Sequence, residues 1–275
     1  MKTLLFLLSI ILASACYTDN SLSAECFFVT LRRLSRHSVI LNAEVVVMNN
    51  LKVLLTALVV IGFVLQILFI KVEHEEKYVL ADILKGSASL MFVIIGYLAY
   101  TRVNNPFNKP FFYGLIFGMI GDILLNLRFV FKKNGQKIFL VGILAFLIGH
   151  VLYLLALLPQ ARAPWLYYFA TAGALAAAGL LIYIFKTMDV KPAFKIFGVF
   201  YLGAVFIMSA IAIGIAIFIP NTRSLVYAIG AVLFTASDVV LIFNTFSGVT
   251  KFSMRITNLL LYYMGQILIA VSLFY

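Results

Sequence analysis

Charged side chains are scarce in this chain, and their scarcity decides which class of protein it belongs to. Asp, Glu, Lys and Arg make up 11% of the 275 residues, whereas hydrophobic residues make up 64%. A soluble domain has roughly 25% charged and 45–50% apolar residues. The composition therefore predicts a polytopic membrane protein. The net charge of +11 comes from short loops between apolar runs, without a basic stripe, which argues against nucleic-acid binding.

Cysteine and the common catalytic motifs are also scarce. Cys16 and Cys26 both precede the apolar runs, so thiol catalysis and disulfides are excluded from the rest of the chain. The sequence has no nucleophile elbow, P-loop, dinucleotide fingerprint or His-rich metal motif, and HEEK at 74–77 lacks the second histidine of a zinc motif. The six prolines fall in loops or at the ends of apolar runs. Attention therefore turns to the few polar side chains within those runs.

Apolar runs long enough to cross a bilayer, roughly 17–25 residues, occur eight times. They are continuous rather than alternating, which argues against a β-barrel. The predicted fold class is therefore all-α, with eight transmembrane helices. Because the connecting loops are short, any site must be built from the helices. The runs lie at about 51–70, 78–100, 111–131, 137–158, 164–185, 193–219, 225–246 and 254–275.

The amino-terminal segment 1–47 differs from the rest of the chain. Met1 and Lys2 precede LLFLLSIILASA, the layout of a secretory signal peptide, and the position of Cys16 faintly resembles a lipobox. Met48, however, stands at the start of a typical first membrane segment. We therefore divide the chain into 1–47, which is either signal-peptide-like or an extension without a role, and an eight-helix domain over 48–275.

Loop charges predict the orientation of the helices, because Lys and Arg accumulate on the cytosolic side. The rule places the loops after runs one, three, five and seven in the cytosol, although Arg32, Arg33 and Arg36 would then lie outside. That side has eleven basic residues, Lys71, Lys77, Arg128, Lys132, Lys133, Lys137, Lys186, Lys191, Lys195, Lys251 and Arg255, against Arg102, Lys109, Arg162 and Arg223 in the opposite loops.

Two aspartates, Asp122 and Asp238, each stand alone near the middle of an apolar run. A carboxylate at that depth costs at least ~2.5–3.5 kcal/mol on the insertion scale. A polar cavity between helices would recover that cost. The functional interpretation is acid/base chemistry or proton transfer, and the structural alternative is a hydrogen bond between helices.

The two halves of the chain resemble each other at a constant offset. GLIFGMIGDILL in the third run corresponds to GAVLFTASDVVL in the seventh, with 238 − 122 = 116. His150 corresponds to Gln266, since 266 − 150 = 116, and the same shift takes Lys85 to Tyr201. Because each half has an even number of spans, the repeat would be parallel, about an axis along the membrane normal. Equivalent polar residues would then converge near that axis.

Depth within the helices indicates which side chains share the site. Lys85, Asp122, Asp238 and Tyr262 all lie ~10–13 Å from the cytosolic ends of their runs at 1.5 Å per residue. His150 and Gln266 lie deeper, at ~18–20 Å. We therefore expect a pocket that opens toward the cytosol or the inner leaflet.

Each supporting candidate has an alternative interpretation. Lys85 is a salt-bridge partner of one aspartate, a ligand of a headgroup phosphate, or a side chain that snorkels to the interface. His150 is alone, which favours hydrogen bonding or proton relay over metal binding. Ser237 either orients Asp238 or bonds to its own helix, and Asp82 fits an interfacial position. Tyr153, Tyr201, Tyr262, Tyr263 and Asn126 line the pocket or anchor helices at the interface.

The ordered motifs resemble those of the YhhN family of lysoplasmalogenases, which are eight-span integral membrane enzymes. The resemblance covers about residues 51–275. It rests on Lys85, GMIGDILL around Asp122, FLIGHVLYLLAL around His150, Tyr201 to Met208, GAVLFTASDVVL around Asp238, and LLYYMGQILIA around Gln266. Each motif alone is weak, but six in this order are fairly specific.

The resemblance implies hydrolysis of the vinyl ether bond of lysoplasmalogen to a fatty aldehyde and glycerophosphoethanolamine or glycerophosphocholine. It also implies that Asp122 and Asp238 are catalytic and that no metal or organic cofactor is needed. Vinyl ether cleavage requires a carboxylic acid beside a carboxylate, which fits two aspartates whose roles separate. Which aspartate is the acid stays open.

Two other classes of protein compete with the enzyme. A proton-coupled transporter would also have midplane carboxylates, a histidine and a repeat, although the absence of central prolines argues against it. A lipid-binding protein without turnover is the third class. The signal-like start and compact loops favour a bacterial inner membrane, with the endoplasmic reticulum as the alternative. Oligomeric state and headgroup preference are not indicated.

Overall fold

The computed structural model describes residues 23–161, 164–248 and 250–275, with side chains from residue 49 onward. The signal-like start at 1–15 and Cys16 lie outside the described residues. The chain divides into two compact units, Met1–Thr56 and Ala57–Tyr275. The described part of the first unit is helical, and the second unit contains the end of that helix and all the others.

The described residues form eight long helices and no strand. Each helix is long and apolar enough to cross a membrane, the first over Asn49–His74. The chain is therefore an integral, multi-pass membrane protein, as the composition predicts. The helices are α1 (Ser23–His74), α2 (Tyr78–Arg102), α3 (Asn108–Val130), α4 (Gly135–Leu157), α5 (Trp165–Thr187), α6 (Pro192–Phe218), α7 (Thr222–Phe246) and α8 (Phe252–Ser272), with short 3₁₀ turns at Lys132–Asn134 and Leu158–Gln160.

Helix ends from α2 onward fall within three residues of the predicted runs. The first helix differs, because it begins at Ser23 and continues without interruption to His74. Hydropathy detects the part of a helix that suits a bilayer, whereas helix continuation requires only residues that tolerate the conformation. The stretch 23–50 contains neither Gly nor Pro, the two strongest helix breakers.

Six helices pack as a closed ring in the second unit. Each contacts the next in the order α2, α3, α4, α6, α7 and α8, and α8 contacts α2 again. A shift of four helices, counted on from α8 to α1, converts each contact in one half of the ring into a contact in the other half. The α2–α3 contact becomes α6–α7, α3–α4 becomes α7–α8, and α4–α6 becomes α8–α2. The packing therefore has the two-fold pattern that a parallel four-helix repeat predicts. Helix α5 packs on α6, where Leu181 and Ile184 form a core with Leu202.

Two glycine pairs mark the same repeat in the backbone. A Cβ on Gly149 would lie 3.1 Å from the carbonyl oxygen of Gly114, and a Cβ on Gly265 would lie 2.8 Å from that of Gly230. The offset between the pairs is again 116, since 230 − 114 = 116 and 265 − 149 = 116. Small residues allow such close approach of membrane helices. The α3–α4 and α7–α8 crossings are therefore equivalent, and each carries one of the two aspartates.

Candidate active site

A cavity of about 110 Å³ lies within the ring and has both aspartates in its wall. On this measure one water needs roughly 10–15 Å³, so the cavity holds several. Among the residues proposed from the sequence, those that line it are Lys85, Asp122, Asn126, Tyr201, Ser237, Asp238 and Tyr262. The rest of the wall is mostly apolar, with Leu125, Phe139, Ile143, Phe146, Phe194, Leu202, Leu241, Ile242, Phe246 and Leu259.

The cavity extends from the aspartates toward the helix ends that carry the basic loops. Asp238 and Phe246 both line it and are eight residues apart on α7, which is ~12 Å along the helix axis. Phe194, near the start of α6, and Arg255, near the start of α8, also line it. The cavity therefore runs from a polar floor toward the helix ends with the basic loops, along a largely apolar wall.

Asp122 on α3 is surrounded by hydrogen-bond donors. Ser89 Oγ donates to Asp122 Oδ2, and the hydroxyl of Tyr262 donates to the same oxygen at 2.7 Å. Lys85 Nζ lies 3.4 Å from Asp122 Oδ1. The Lys85 and Asp122 side chains are only 4% and 5% exposed, so this is a buried ion pair. Both carboxyl oxygens of Asp122 thus receive donors, and one of those donors is a cation.

Asp238 on α7 has a simpler environment. The hydroxyl of Tyr201 on α6 donates to Asp238 Oδ2 at 2.6 Å. None of the three ion pairs that the described residues form includes Asp238, although it is as deeply buried as Asp122. Tyr201 is the residue that corresponds to Lys85 in the repeat. The same contact between α2 and α3 therefore recurs between α6 and α7, with a phenol in place of the ammonium.

Lys85 does not reach the interface. Its ammonium group lies 4.5 Å from the ring centroid of Tyr262 and 3.5 Å from Gln66 Oε1, and the residue is 3% exposed. Lys85 is therefore an ion-pair partner of an aspartate and does not snorkel to the interface.

The remaining candidates lie outside the cavity wall and form hydrogen bonds within a helix or between helices. His150 Nδ1 is 2.7 Å from the carbonyl oxygen of Phe146 in its own helix, and the hydroxyl of Tyr263 donates to Ala88 O at 3.2 Å. Gln266 accepts from Tyr153 and donates to Tyr262. His150, Tyr263 and Gln266 are not part of the cavity wall. Of the three, Gln266 is linked to Asp122 through the hydroxyl of Tyr262.

Three polar residues near the site were not proposed from the sequence. Ser89 follows Lys85 by one helical turn, so the two share a helix face, and this spacing is the signal that could have identified it. Gln66 interrupts the apolar run of α1. Asn258 lines the cavity and donates to Ser237 O at 2.9 Å and to Ser237 Oγ at 3.2 Å. Single polar residues of this kind are common in membrane helices, and only the packing shows which of them meet.

Comparison with known families gives one result. The YhhN family profile matches residues 80–273, more than two thirds of the chain. The chain belongs to the YhhN family. Membership suggests a lysoplasmalogenase-type function, because this family is associated with hydrolase activity. The matched segment includes both aspartates, whereas Gln66 precedes it. No curated protein and no solved structure matches the chain significantly.

Proposed function

We propose that this YhhN family member hydrolyses the vinyl ether bond of a lysoplasmalogen, releasing a fatty aldehyde and a glycerophosphoethanolamine or glycerophosphocholine. The observation that carries the proposal is that two buried aspartates with different partners share one cavity. Asp122 is paired with a cation, and Asp238 is bonded to a neutral phenol. A reaction that needs one carboxylate and one carboxylic acid fits this pair.

The wall of the cavity supports a lipid substrate. Phe, Leu and Ile side chains form most of the passage between the aspartates and the ends of α6 and α7. Such a surface suits a single hydrocarbon chain, and the few polar groups at its floor suit the polar linkage of that chain. The substrate class therefore agrees with the distribution of polarity along the cavity.

Asp122 is assigned as the carboxylate. An ionised carboxyl group is an acceptor only, and Lys85, Ser89 and Tyr262 each provide a donor to it. The ammonium of Lys85 also balances the negative charge of a carboxyl group that is almost fully buried. Asp122 then stabilises the cation formed during the reaction and accepts a proton from water.

Asp238 is assigned as the acid. Among the described residues it has no cationic partner and one hydrogen-bond donor, Tyr201. A buried carboxyl group without a counter-charge avoids the large cost of a buried, unpaired anion by keeping its proton.

The proposed reaction begins with transfer of the Asp238 proton to the β-carbon of the vinyl ether, where the electron pair of the double bond forms the new C–H bond. The positive charge is then shared by the α-carbon and the ether oxygen, and Asp122 stabilises it electrostatically. Water adds to the α-carbon and transfers a proton to Asp122, which gives a hemiacetal. On collapse, the hemiacetal hydroxyl returns a proton to Asp238, the bond to the glycerol oxygen breaks, and that oxygen takes the proton from Asp122.

The test is an aldehyde-release assay on the purified protein with a lysoplasmalogen and with its saturated ether analogue. We expect aldehyde from the vinyl ether alone. In heavy water the product should carry one deuterium on the carbon next to the carbonyl, because that carbon is protonated by the enzyme. Substrate binding without aldehyde release would reject the enzyme and leave a lipid-binding protein or a transporter.

A further inference from the structure

A groove adjoins the cavity at the end of the bundle that carries the basic loops. It has a volume of about 470 Å³, and Leu241, Thr245 and Arg255 line both the groove and the cavity. Three cations, Arg128, Lys251 and Arg255, line the groove against one carboxylate, Glu73, which leaves a net charge of +2. The two spaces therefore share a wall, and the outer one is positively charged.

Arg128 is a fixed cation without an anionic partner among the described residues. The central carbon of its guanidinium group lies 4.5 Å from the ring centroid of Phe129 and 4.2 Å from that of Phe139. Its Nε is buried and has no hydrogen-bond partner in the described part of the chain. The two aromatic faces hold the planar group in place. Its terminal nitrogens, Nη1 and Nη2, could then bind a phosphate by two parallel hydrogen bonds.

Arg255 is held in place by an acidic residue. Its Nη2 lies 2.6 Å from Glu73 Oε1, and its Nε lies 3.0 Å from Glu73 Oε2. This contact between α8 and α1 uses two N–H groups of Arg255. A guanidinium has five, so the others are left for a ligand. Lys251, at the amino-terminal end of α8, is exposed and lines the same groove.

Both arginines lie closer than the candidate active site to the end of the bundle that carries the basic loops. Arg128 follows Asp122 by six residues on α3, which is ~9 Å along the helix axis. Arg255 precedes Tyr262 by seven residues on α8, which is ~10 Å. In a lysoplasmalogen the vinyl ether lies between the alkyl chain and the glycerol backbone that carries the phosphate. With the ether at the aspartates and the phosphate in the groove, the chain would fold back along the apolar wall that leads to the same end of the bundle.

We propose that the groove formed by Arg128, Lys251 and Arg255 binds the phosphodiester of the lysophospholipid and thereby positions its ether bond at the two aspartates. The identity of the lipid rests on the proposed function, whereas the preference for a phosphate rests on the groove itself. Lys85 was the other candidate for this role, but it is committed to Asp122. The groove also gives Arg128 the anionic partner that the described residues do not provide.

The test uses a saturated alkyl ether lysophosphocholine, which cannot be hydrolysed, and an alkylglycerol with the same chain but no phosphate. Binding of both is measured to the wild type and to Arg128→Gln, Lys251→Gln and Lys133→Gln. Lys133 is the matched control, because it is exposed at the same end of the bundle and outside the groove. Lys251 is exposed, so its variant keeps the test valid even if Arg128→Gln does not fold.

We expect Arg128→Gln to weaken phospholipid binding about 10- to 100-fold, the range for losing hydrogen bonds to a charged group. Lys251→Gln should weaken it severalfold, Lys133→Gln should leave it unchanged, and no variant should alter binding of the alkylglycerol. In the aldehyde assay the effect should be on KM with little change in kcat, as for a contact made equally in the ground state and the transition state.

Two further comparisons distinguish a lipid phosphate from free phosphate, and failure of the phosphate site from failure of the proposed function. Inorganic phosphate at the ionic strength of a chloride control should not displace the lysophosphocholine, and displacement would assign the groove to free phosphate instead. If the wild type releases aldehyde while Arg128→Gln and Lys251→Gln keep its KM and affinity, the phosphate site is wrong and the proposed function stands. If it releases none while these variants lose phospholipid binding, the phosphate site stands and the proposed function is wrong.

Discussion

The halves of the molecule around Asp122 and Asp238 have the same packing but different side chains at three equivalent positions. Lys85 in the first half corresponds to Tyr201 in the second, since 85 + 116 = 201. Ser89 corresponds to Val205, since 89 + 116 = 205. Tyr262, which donates to Asp122, belongs to the second half and corresponds to Phe146 in the first, since 262 − 116 = 146.

These three differences separate two carboxyl groups that the fold places equivalently. Where Asp122 has an ammonium and two hydroxyls, the equivalent positions offer Asp238 a phenol and two apolar side chains. A repeat provides two carboxyl groups at matching depth, and substitution around one of them makes their chemistry different. The two carboxyl groups therefore have different environments at equivalent positions, as the proposed reaction requires.

The strongest test of this comparison is replacement of each aspartate by asparagine. Asp122→Asn and Asp238→Asn keep size and hydrogen bonding but cannot carry the counter-charge or supply the proton. General acid–base catalysis alone contributes roughly 10²–10⁴-fold, so each variant should lose at least about that much aldehyde release. The double variant should be little worse than the worse single one, because residues acting as a unit are not additive. A variant that keeps near-normal turnover would make its aspartate structural.

A smaller effect is expected when the cation is removed from the first half. Lys85→Met leaves Asp122 as a buried charge without its partner, which costs roughly 3–5 kcal/mol when a buried pair is broken. Thermal unfolding should show a large loss for Lys85→Met and partial recovery in the Lys85→Met, Asp122→Asn double variant. Tyr201→Phe, the equivalent change in the second half, removes one hydrogen bond and should cost only about 0.5–1.5 kcal/mol. Equal losses for Lys85→Met and Tyr201→Phe would contradict the asymmetry.

Effects smaller than that of Lys85→Met are expected when the close helix contacts that the two halves share are changed. Gly265→Ala places a Cβ 2.8 Å from a backbone oxygen and Gly149→Ala places one 3.1 Å away. Both should therefore destabilise the protein by roughly 1–3 kcal/mol, the usual range for overpacking, and Gly265→Ala should cost more. Gly179→Ala is the matched control, since no neighbouring atom lies within 4 Å of its added Cβ. Thermal unfolding of the three variants checks this, and a loss at Gly179 as large as that at Gly265 would reject the explanation by close approach.

Hydropathy was sufficient for the helices because a membrane span needs a long apolar run, and from α2 onward the runs coincide with the helices. The offset of 116 was visible at Asp122 and Asp238, so their convergence on one cavity follows from the sequence if the repeat is assumed. The contact of Gln66 with Lys85 could not be predicted in the same way. A single polar residue in an apolar run does not indicate which neighbouring helix its side chain will face. Helix rotation and packing decide its partner.

The groove residues show a different limit of prediction from sequence. Arg128 and Arg255 have the signature of topogenic charges, since basic residues at helix ends on one side orient a membrane protein. Only the structure places them together beside the cavity, with the guanidinium of Arg128 stacked on two rings. Charge counting treats all eleven basic residues of that side alike, whereas packing distinguishes the few that line the groove.

The central claim is that Asp238 is a neutral acid while Asp122 is an ionised base, and infrared difference spectroscopy tests it most directly. A buried, protonated carboxyl group has a C=O stretching band that a carboxylate lacks. We predict that the substrate-free wild type shows this band, that Asp122→Asn keeps it, and that Asp238→Asn abolishes it. Loss of the band in Asp122→Asn with its retention in Asp238→Asn would contradict the account and exchange the two roles.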